Sequence, residues 1–319
     1  MKTLMVTGAS GIVGYGILKS LRQGGKQYKL IGTTIYPDSA AQGFCDVFEQ
    51  AIPTNSPGYI EWLIGVIKKH KVDLLFSGID ADMYFFNANR RAIEETGVKI
   101  VLNKPYLINI CEDKYIFYLS LKRSKYAIPS YNEDDFDFIC DNLGLPFLLK
   151  PVNGFGSKGI IKVTCYDDYY SRRQYIGNGL MVQQIVGTDD EEYTVSAFCD
   201  GVGGYWASMC LKRKLSKDGY TDRAEVVQVN EEMHEALKEI CGIFMPFGCT
   251  NFQFRKHEGT LKLLEINPRI SSSTSIRAAF GYNESLMAAE YFLEDKVPEQ
   301  PEITNGKAVR YTEDMIFHE

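Results

Sequence analysis

Four polar side chains near residue 260 have the types and the spacing of a site for a hard cation. The segment CTNFQFRKHEGTLKLLEINPR, residues 249–269, predicts two alternating strands around a turn at residues 257–259. One predicted face carries Asn251, Gln253, Glu265 and Asn267, and the other carries Phe252, Phe254, Leu264 and Ile266.

The predicted pairing of these strands brings the polar oxygens together. With Glu258 at the centre of the turn, Asn251 faces Glu265, Phe252 faces Leu264 and Gln253 faces Leu263. Gln253 and Glu265 are then diagonal neighbours, roughly 7 to 8 Å apart at the backbone. Mg²⁺ favours a few protein oxygens of this kind, completed by phosphates and water. The alternative is that Glu265 is a solvated charge on an edge strand.

A glycine-rich segment, VNGFGSKG at residues 152–159, lies between the predicted strands PFLLKP and IIKVT. This order predicts a hairpin flap, because a P-loop leads into a helix instead. Four of its residues are suited to wrapping phosphate oxygens: Gly154, Gly156, Ser157 and Gly159. Lys150, just before the flap, can reach the same phosphates as a point charge. The alternative is an ordinary flexible hairpin, and we expect Lys158 to face solvent in either case.

A second glycine-rich turn, GASGIVG at residues 8–14, follows the first predicted strand. Its GxxGxxG spacing occurs where a dinucleotide pyrophosphate meets a helix N-terminus. It therefore predicts, as an alternative function, an NAD(P)-dependent epimerase or dehydrogenase, with Tyr118 and Lys122 as the required Tyr-x-x-x-Lys pair. The simpler interpretation is that the glycines permit a tight turn with close packing. We favour it because the phosphate-handling residues occur later in the chain.

The elements that carry these motifs predict an α/β unit followed by α+β units. Strands at residues 2–7, 29–35, 72–79 and 98–103 alternate with helices at 14–23, 59–70 and 90–97, the pattern of a parallel doubly wound sheet. Later helices are predicted at 111–124, 134–144 and 231–244, and strands at 146–151, 160–164, 181–187, 192–198, 204–213 and 224–230. We predict a Rossmann-like domain at 1–105, a small lobe with the flap at 106–182 and a large lobe with the metal site at 183–319.

Composition excludes several other functions. The net charge of −6 argues against a dominant nucleic-acid surface, which needs clustered Lys and Arg. No apolar run approaches the ~20 residues that cross a bilayer, and the opening MKTLMVTGAS lacks the regions of a signal peptide. The eight cysteines show no CxxC spacing and the histidines number four, so we expect no zinc site. We expect a cytoplasmic protein without nucleic-acid or membrane partners.

Taken together, the motifs resemble the ATP-grasp superfamily in order and spacing. They are DK at 113–114, FLLKPVNGFGSKG, QQIVGTDDEEYTVSAF, NFQFR and LEINPRISSSTSIRAAFGYN. They look most like the synthetase domains of carbamoyl-phosphate synthase large subunits, and the resemblance covers nearly the whole chain. It implies a Rossmann-like pre-ATP-grasp domain followed by a two-lobed ATP-grasp fold. Because the chain has one synthetase unit and no glutaminase, we do not expect a complete carbamoyl-phosphate synthase.

The resemblance also implies roles for nucleotide-binding residues. Lys114 and Lys150 contact the ATP phosphates, and the flap at residues 153–159 closes over them. The predicted hinge against adenine consists of Gln184, Ile185 and Val186, and Glu192 is the candidate for the ribose hydroxyls.

The metal and catalytic positions follow in the same way. Gln253, Glu265 and Asn267 match the magnesium positions, with Mn²⁺ as an alternative ion. Arg269 matches an arginine that helps to hold the transferred phosphoryl group or the acyl phosphate. Arg213 and Arg277 are candidates for binding an anionic substrate through two-pronged guanidinium contacts, and surface salt bridges are the alternative for both.

The function implied is that of an ATP-dependent carboxylate–amine ligase, similar to carbamoyl-phosphate synthase. A substrate carboxylate attacks the γ-phosphorus of ATP, and an amine then displaces phosphate from the acyl phosphate. The expected partners are ATP, a small carboxylate, an amine and, by analogy with the fold, a second copy of the chain. A non-catalytic ATP-binding regulatory protein is a further alternative, although the intact metal set speaks against it.

Overall fold

The computed structural model describes residues 1–154, 158–216 and 219–318. Within these residues the strands form one parallel and two antiparallel sheets, in chain order. The predicted fold class is therefore confirmed. The described sheets end and begin near the predicted domain boundaries, which stay predictions.

The N-terminal sheet is parallel, with strand order β3-β2-β1-β4-β5. Its strands are β1 (Thr3–Val6), β2 (Lys29–Thr34), β3 (Val47–Gln50), β4 (Leu74–Phe76) and β5 (Lys99–Ile100). Its helices are α1 (Ile12–Gln23), α2 (Tyr59–His70), α3 (Asp80–Ala88) and α4 (Arg90–Glu94), with a 3₁₀ turn at Ala40–Phe44. The sequence prediction missed β3 and α3. The partly exposed edge strand VFEQ has no apolar run, and DADMYFFNA has no clear apolar stripe.

The GASGIVG turn packs tightly between β1 and α1. Gly8 has φ +59°, in the left-handed region that favours glycine. A Cβ on Gly14 would lie 2.3 Å from the carbonyl oxygen of Gly8, and one on Gly78 would lie 2.2 Å from that of Thr7. The close approach of these backbones supports the packing interpretation of the motif.

The small lobe contains a four-stranded antiparallel sheet in the order β6-β9-β7-β8. Its strands are β6 (Ser130–Tyr131), β7 (Phe147–Pro151), β8 (Ile161–Val163) and β9 (Leu180–Gln184). Helices α5 (Pro105–Glu112), α6 (Lys114–Leu121), α7 (Phe136–Leu143) and α8 (Tyr166–Tyr170) accompany it, with a 3₁₀ turn at Arg173–Tyr175. The prediction of a single helix at 111–124 was wrong, because α5 ends at Glu112 and α6 begins at Lys114. The Asp113 carboxylate caps α6 by accepting hydrogen bonds from the N–H groups of Tyr115 and Ile116.

The large lobe is built on an antiparallel sheet in the order β14-β13-β10-β11-β12-β15. Its strands are β10 (Glu192–Asp200), β11 (Tyr205–Leu215), β12 (Thr221–Val227), β13 (Phe247–His257), β14 (Thr260–Asn267) and β15 (Lys307–Val309). The helices are α9 (Glu231–Phe244), α10 (Thr274–Ala279) and α11 (Glu284–Glu294), and a 3₁₀ turn at Asp189–Glu191 leads into β10.

One apolar core joins this sheet to helices α5, α6 and α9. Phe252 and Phe254 of β13 are fully buried in it, together with Phe117 and Phe244 from the helices. The opposite face of β13 is polar, so the alternation predicted for this strand is confirmed there. No helix within the described part of the chain is long and apolar enough to cross a membrane.

Candidate active site

A cleft of about 930 Å³, open to solvent, lies between the small sheet and the six-stranded sheet. Many residues singled out in the sequence line it: Lys114, Lys150, Gly154, Gln184, Ile185, Val186, Glu192, Gln253 and Glu265. Lys158, which we expected to face solvent, is exposed but also lines the rim of this cleft.

The β13–β14 hairpin aligns differently from the prediction. Glu258 and Gly259 both have positive φ, at +49° and +78°, and form a two-residue turn. A bulge then shifts the register, so that Gln253 faces Glu265 directly instead of diagonally. The bulge also reverses the predicted roles of two leucines, because Leu263 is buried in the core while Leu264 lines the cleft.

The predicted metal residues converge at the end of this hairpin. Asn251 pairs with Asn267 next to the Gln253–Glu265 pair, and Asn267 Nδ2 donates to Glu265 Oε1 over 3.1 Å. Described residues show no cluster of three or more His, Cys, Asp or Glu side chains able to hold a metal. One carboxylate with two amide oxygens instead fits Mg²⁺, which takes further ligands from phosphate and water.

Two lysines face Glu265 across the cleft. Burial lowers the pKa of Lys150 to about 8, with Lys114 and Arg255 acting in the same direction and Glu265 opposing them. Burial also lowers the pKa of Lys114. Lys114 Nζ donates to the carbonyl oxygen of Gly154, so this lysine contacts the base of the flap. Burial disfavours the charged forms of both lysines, and negatively charged phosphate oxygens nearby would favour those charged forms again.

The cleft lining includes apolar side chains and a glycine-rich segment. The apolar residues are Leu148, Ile160, Ile185, Val186 and Leu264, as expected of a base-binding surface. Of the predicted flap residues, Gly154 and Gly159 have positive φ, at +112° and +75°. Gly159 lies against Pro151 and not among the cleft-lining residues. The predicted contacts of Gly156 and Ser157 lie outside the described residues.

Glu192 occupies the cleft wall, but its oxygens are engaged by two arginines. Arg213 donates through Nε and Nη2 to Oε1, at 3.1 and 2.9 Å. Arg255 donates through Nε and Nη2 to Oε2, at 3.0 and 2.8 Å. A carboxylate offers about four lone-pair positions, and these four donors occupy them. Glu192 therefore anchors Arg213 and Arg255 in this structure, and its contact with ribose hydroxyls stays a prediction.

The two arginines predicted to meet an anionic substrate are buried. Arg213 is 4% exposed and contacts Glu192 and Gln253. Arg277 is 0% exposed and pairs with buried Glu284 at 3.1 Å. Its other contacts are Ser271 Oγ, Thr194 Oγ1 and Asn251 Oδ1. Both guanidinium groups are engaged by other side chains and shielded from solvent, although the buried Nε of Arg277 has no hydrogen-bond partner. Direct substrate contact by Arg213 or Arg277 stays a prediction.

Arg269 connects the large lobe to the N-terminal domain. Its Nε and Nη2 donate to Oδ1 and Oδ2 of Asp80, at 2.5 and 2.9 Å. Burial opposes its charged form, but Asp80 outweighs this and raises the pKa of Arg269. A second cavity of about 750 Å³ adjoins this pair. It shares Lys114, Gly154 and Glu265 with the first cleft and is walled by α3 and α5.

Sequence reasoning missed two of these residues. Arg255 stands two positions after Gln253 on the same strand face, so the alternation that placed Gln253 could have found it. Asp80 carried no comparable signal, because its partner Arg269 lies 189 residues away in the chain.

Comparisons with known proteins agree with this architecture. Residues 179–315 match the model for ATP-grasp in the biosynthetic pathway with Ter operon. Residues 11–101 match the PylC-like N-terminal domain. The carbamoyl phosphate synthase large chain of Methanosarcina barkeri (strain Fusaro / DSM 804) is 23% identical over 262 residues, which cover 73% of this chain and 24% of that one. The chain thus spans about a quarter of the length of this curated relative.

Solved structures share the fold. N5-carboxyaminoimidazole synthetase from Staphylococcus aureus complexed with ADP has a TM-score of 0.72 and 16% identity, covering 95% of this chain and 80% of that one. The biotin carboxylase domain dimer of 2-oxoglutarate carboxylase from Hydrogenobacter thermophilus, complexed with MgADP, ADP and bicarbonate, has a TM-score of 0.70 and 15% identity. The match to this biotin carboxylase domain covers 96% of this chain and 73% of the biotin carboxylase chain.

The alternatives are not supported. Tyr118, which the epimerase hypothesis required, lines a small cavity beside Lys150 and Gln183 in the small lobe. The glycines of GASGIVG approach other backbone atoms closely, and residues 179–315 match an ATP-grasp family model. Residues 179–315 thus match an ATP-grasp family model, and residues 11–101 match a PylC-like N-terminal domain.

Proposed function

We propose that this protein is an ATP-dependent carboxylate–amine ligase that forms an acyl phosphate and transfers its acyl group to an amine. The observation that carries the proposal is the meeting of Lys114, Lys150 and the Gln253–Glu265 pair in one cleft. Phosphoryl transfer relies on positioning and charge neutralisation. Two lysines beside side-chain oxygens suited to a metal ion could provide both.

The nucleotide is proposed to lie in this cleft with its base against apolar side chains. Gln184, Ile185 and Val186 would contact adenine, and Lys114 and Lys150 would contact the phosphates. Gly154 and Lys158, which line the cleft, would lie near the phosphates and help to exclude water, which otherwise hydrolyses an acyl phosphate. Lys114 supports this arrangement because it already bonds to the Gly154 carbonyl.

Gln253, Glu265 and Asn267 are proposed to hold Mg²⁺, with Mn²⁺ as the alternative ion. When bound, the ion would neutralise charge on the transferring phosphate. The proposal is supported by the positions of the three side chains: Gln253 and Glu265 are cross-strand partners, and Asn267 donates a hydrogen bond to Glu265.

The second cavity is the proposed entry of the carboxylate and the amine. It opens on Lys114, Glu265 and Asn267 and therefore reaches the expected position of the γ-phosphate. Arg269 at its side is proposed to hold the acyl phosphate, oriented by Asp80. As an assembly we propose a homodimer, like the biotin carboxylase domain dimer.

The first experiment measures thermal unfolding of the full chain with MgADP, with Mg²⁺ and an ATP analogue, and with NAD. A ligand at 100 times its Kd stabilises by about 2.7 kcal/mol, so specific binding is easily detected. We expect stabilisation by the magnesium nucleotides and none by NAD. Phosphate release from ATP is then screened with bicarbonate and other small carboxylates, each with and without an amine.

Glu265→Gln should abolish phosphate release and the Mg²⁺-dependent part of the stabilisation, because it removes the carboxylate of the metal set. Glu258→Gln is the matched control, since this exposed residue lies at the turn of the same hairpin. Stabilisation by NAD alone, or full activity of Glu265→Gln, would overturn the proposal.

A further inference from the structure

The predicted metal ligand Gln253 is held by a buried arginine. Arg213 Nη2 donates to Gln253 Oε1 over 2.6 Å, and the same nitrogen donates to Glu192 Oε1. The strands explain this contact: Glu192 of β10 lies beside Arg255 of β13, while Arg213 extends from β11 on the other side of β10. The guanidinium therefore reaches across β10 to the amide of Gln253.

The contact with Arg213 determines whether the oxygen or the nitrogen of the Gln253 amide faces the guanidinium. The oxygen and nitrogen of a glutamine amide are nearly equal in size, but only the oxygen can bind a cation. Arginine has hydrogen-bond donors and no acceptor, so Arg213 can donate only to the oxygen of the Gln253 amide and not to its nitrogen. A carbonyl oxygen has two lone pairs, and one of them remains for a cation. The contact thus selects the amide orientation that magnesium binding requires.

Arg213 is in turn fixed by its own partners. Glu192 receives two of its N–H groups, and Thr221 Oγ1 accepts a third at 3.4 Å. Thr221 Oγ1 lies 2.9 Å from Ser273 Oγ in the serine-rich segment. Because Glu192 also binds Arg255, its carboxylate is itself held from both sides. Few rotamers of Arg213 satisfy all these contacts, so the amide meets a rigid donor.

We propose that Arg213 is a positioning residue for the metal ion, acting through the amide oxygen of Gln253 with Glu192 as its anchor. This inference rests on the proposed function, since it presupposes that Gln253 binds the cation. It also accounts for a neutral ligand at this position. A glutamate at 253 would form an ion pair with Arg213, which would draw its charge away from the cation.

The test measures binding of Mn²⁺ to the full chain with ADP present, by the electron paramagnetic resonance signal of the free ion. Arg213→Lys keeps the charge but cannot bond to Glu192 and Gln253 with one rigid fork. We expect it to weaken Mn²⁺ binding by about tenfold, the lower end of effects seen for residues that orient metal ligands. ADP affinity without metal, measured by calorimetry, should stay within about twofold, because Arg213 does not face the nucleotide.

A double-mutant cycle separates action through Gln253 from a general structural role. In the Gln253→Ala background, Arg213→Lys should have no further effect on Mn²⁺ binding. Arg90→Lys is the control, since it alters a half-buried arginine that bonds to Asn87 and Asn103 in the N-terminal domain, away from Gln253; it should leave Mn²⁺ binding unchanged. An undiminished effect of Arg213→Lys without Gln253, or no effect in the parent, overturns the inference. Failure of the parent chain to bind Mn²⁺ with ADP would instead refute the proposed function.

Discussion

At the scale of single residues, Lys150 links nucleotide binding to pH. Its pKa is lowered to about 8, chiefly by burial, so the free protein loses this charge as pH rises through that value. Phosphate binding requires the charged form. We therefore expect the Kd for MgADP to be constant below about pH 7 and to rise by up to roughly tenfold per unit above pH 8. Isothermal titration calorimetry from about pH 6.5 to about pH 9.5 measures this change in the Kd for MgADP.

Lys150→Arg is the control for this dependence, because a guanidinium stays charged throughout the range. The variant should bind MgADP with a flat pH profile above pH 7 even if its affinity is lower. The sign for stability is opposite to that for binding. A lysine with a lowered pKa binds fewer protons in the folded than in the unfolded state, so this group favours folding more as pH rises from about 8 towards its ordinary value near 10.4. An identical pH profile in both proteins would contradict the role of Lys150.

At the scale of elements, the packing of α1 on β1 depends on Gly14. A methyl group at this position would lie 2.3 Å from the Gly8 oxygen and 2.7 Å from Ala9 Cα, which are backbone atoms that cannot turn aside. Gly14→Ala should lower the free energy of unfolding by about 1 to 3 kcal/mol through overpacking. Urea denaturation followed by circular dichroism measures the change.

Gly65→Ala is the matched control on α2. A Cβ there would meet nothing within 4 Å, and alanine favours a helix over glycine by about 1 kcal/mol. This variant should be as stable as the parent or more stable. Equal stability of Gly14→Ala and Gly65→Ala would show that the glycines of GASGIVG are not required for packing.

At the scale of the whole molecule, the Asp80–Arg269 pair joins the N-terminal domain to the candidate active site. Asp80→Asn removes the charge that fixes the guanidinium. If Arg269 holds the acyl phosphate, turnover should fall on the order of 10²-fold, because a small misplacement of a catalytic group has effects of this size. MgADP affinity should change little, since Asp80 lines the second cavity and not the nucleotide cleft. Phosphate release and calorimetry measure the two quantities.

Lys99→Met provides the control for this interdomain contact. Lys99 donates to the carbonyl oxygen of Phe292 in α11 and so also joins the N-terminal domain to the large lobe, but it does not touch Arg269. Its turnover should match that of the parent. A comparable loss in both variants would mean that Asp80 acts only by holding the domains together.

The sequence by itself determined the fold class, the order of the motifs and the polar face of β13. These depend on local periodicity and short spacings, which remain readable without tertiary structure. It placed Gln253 and Glu265 on one face, yet the bulge at Leu264 decided that they are direct partners. Only the tertiary structure buried Arg213 and Arg277, saturated Glu192 and brought Asp80 to Arg269. Such contacts join distant segments, and the identity of a charged residue does not reveal which partner folding will bring to it.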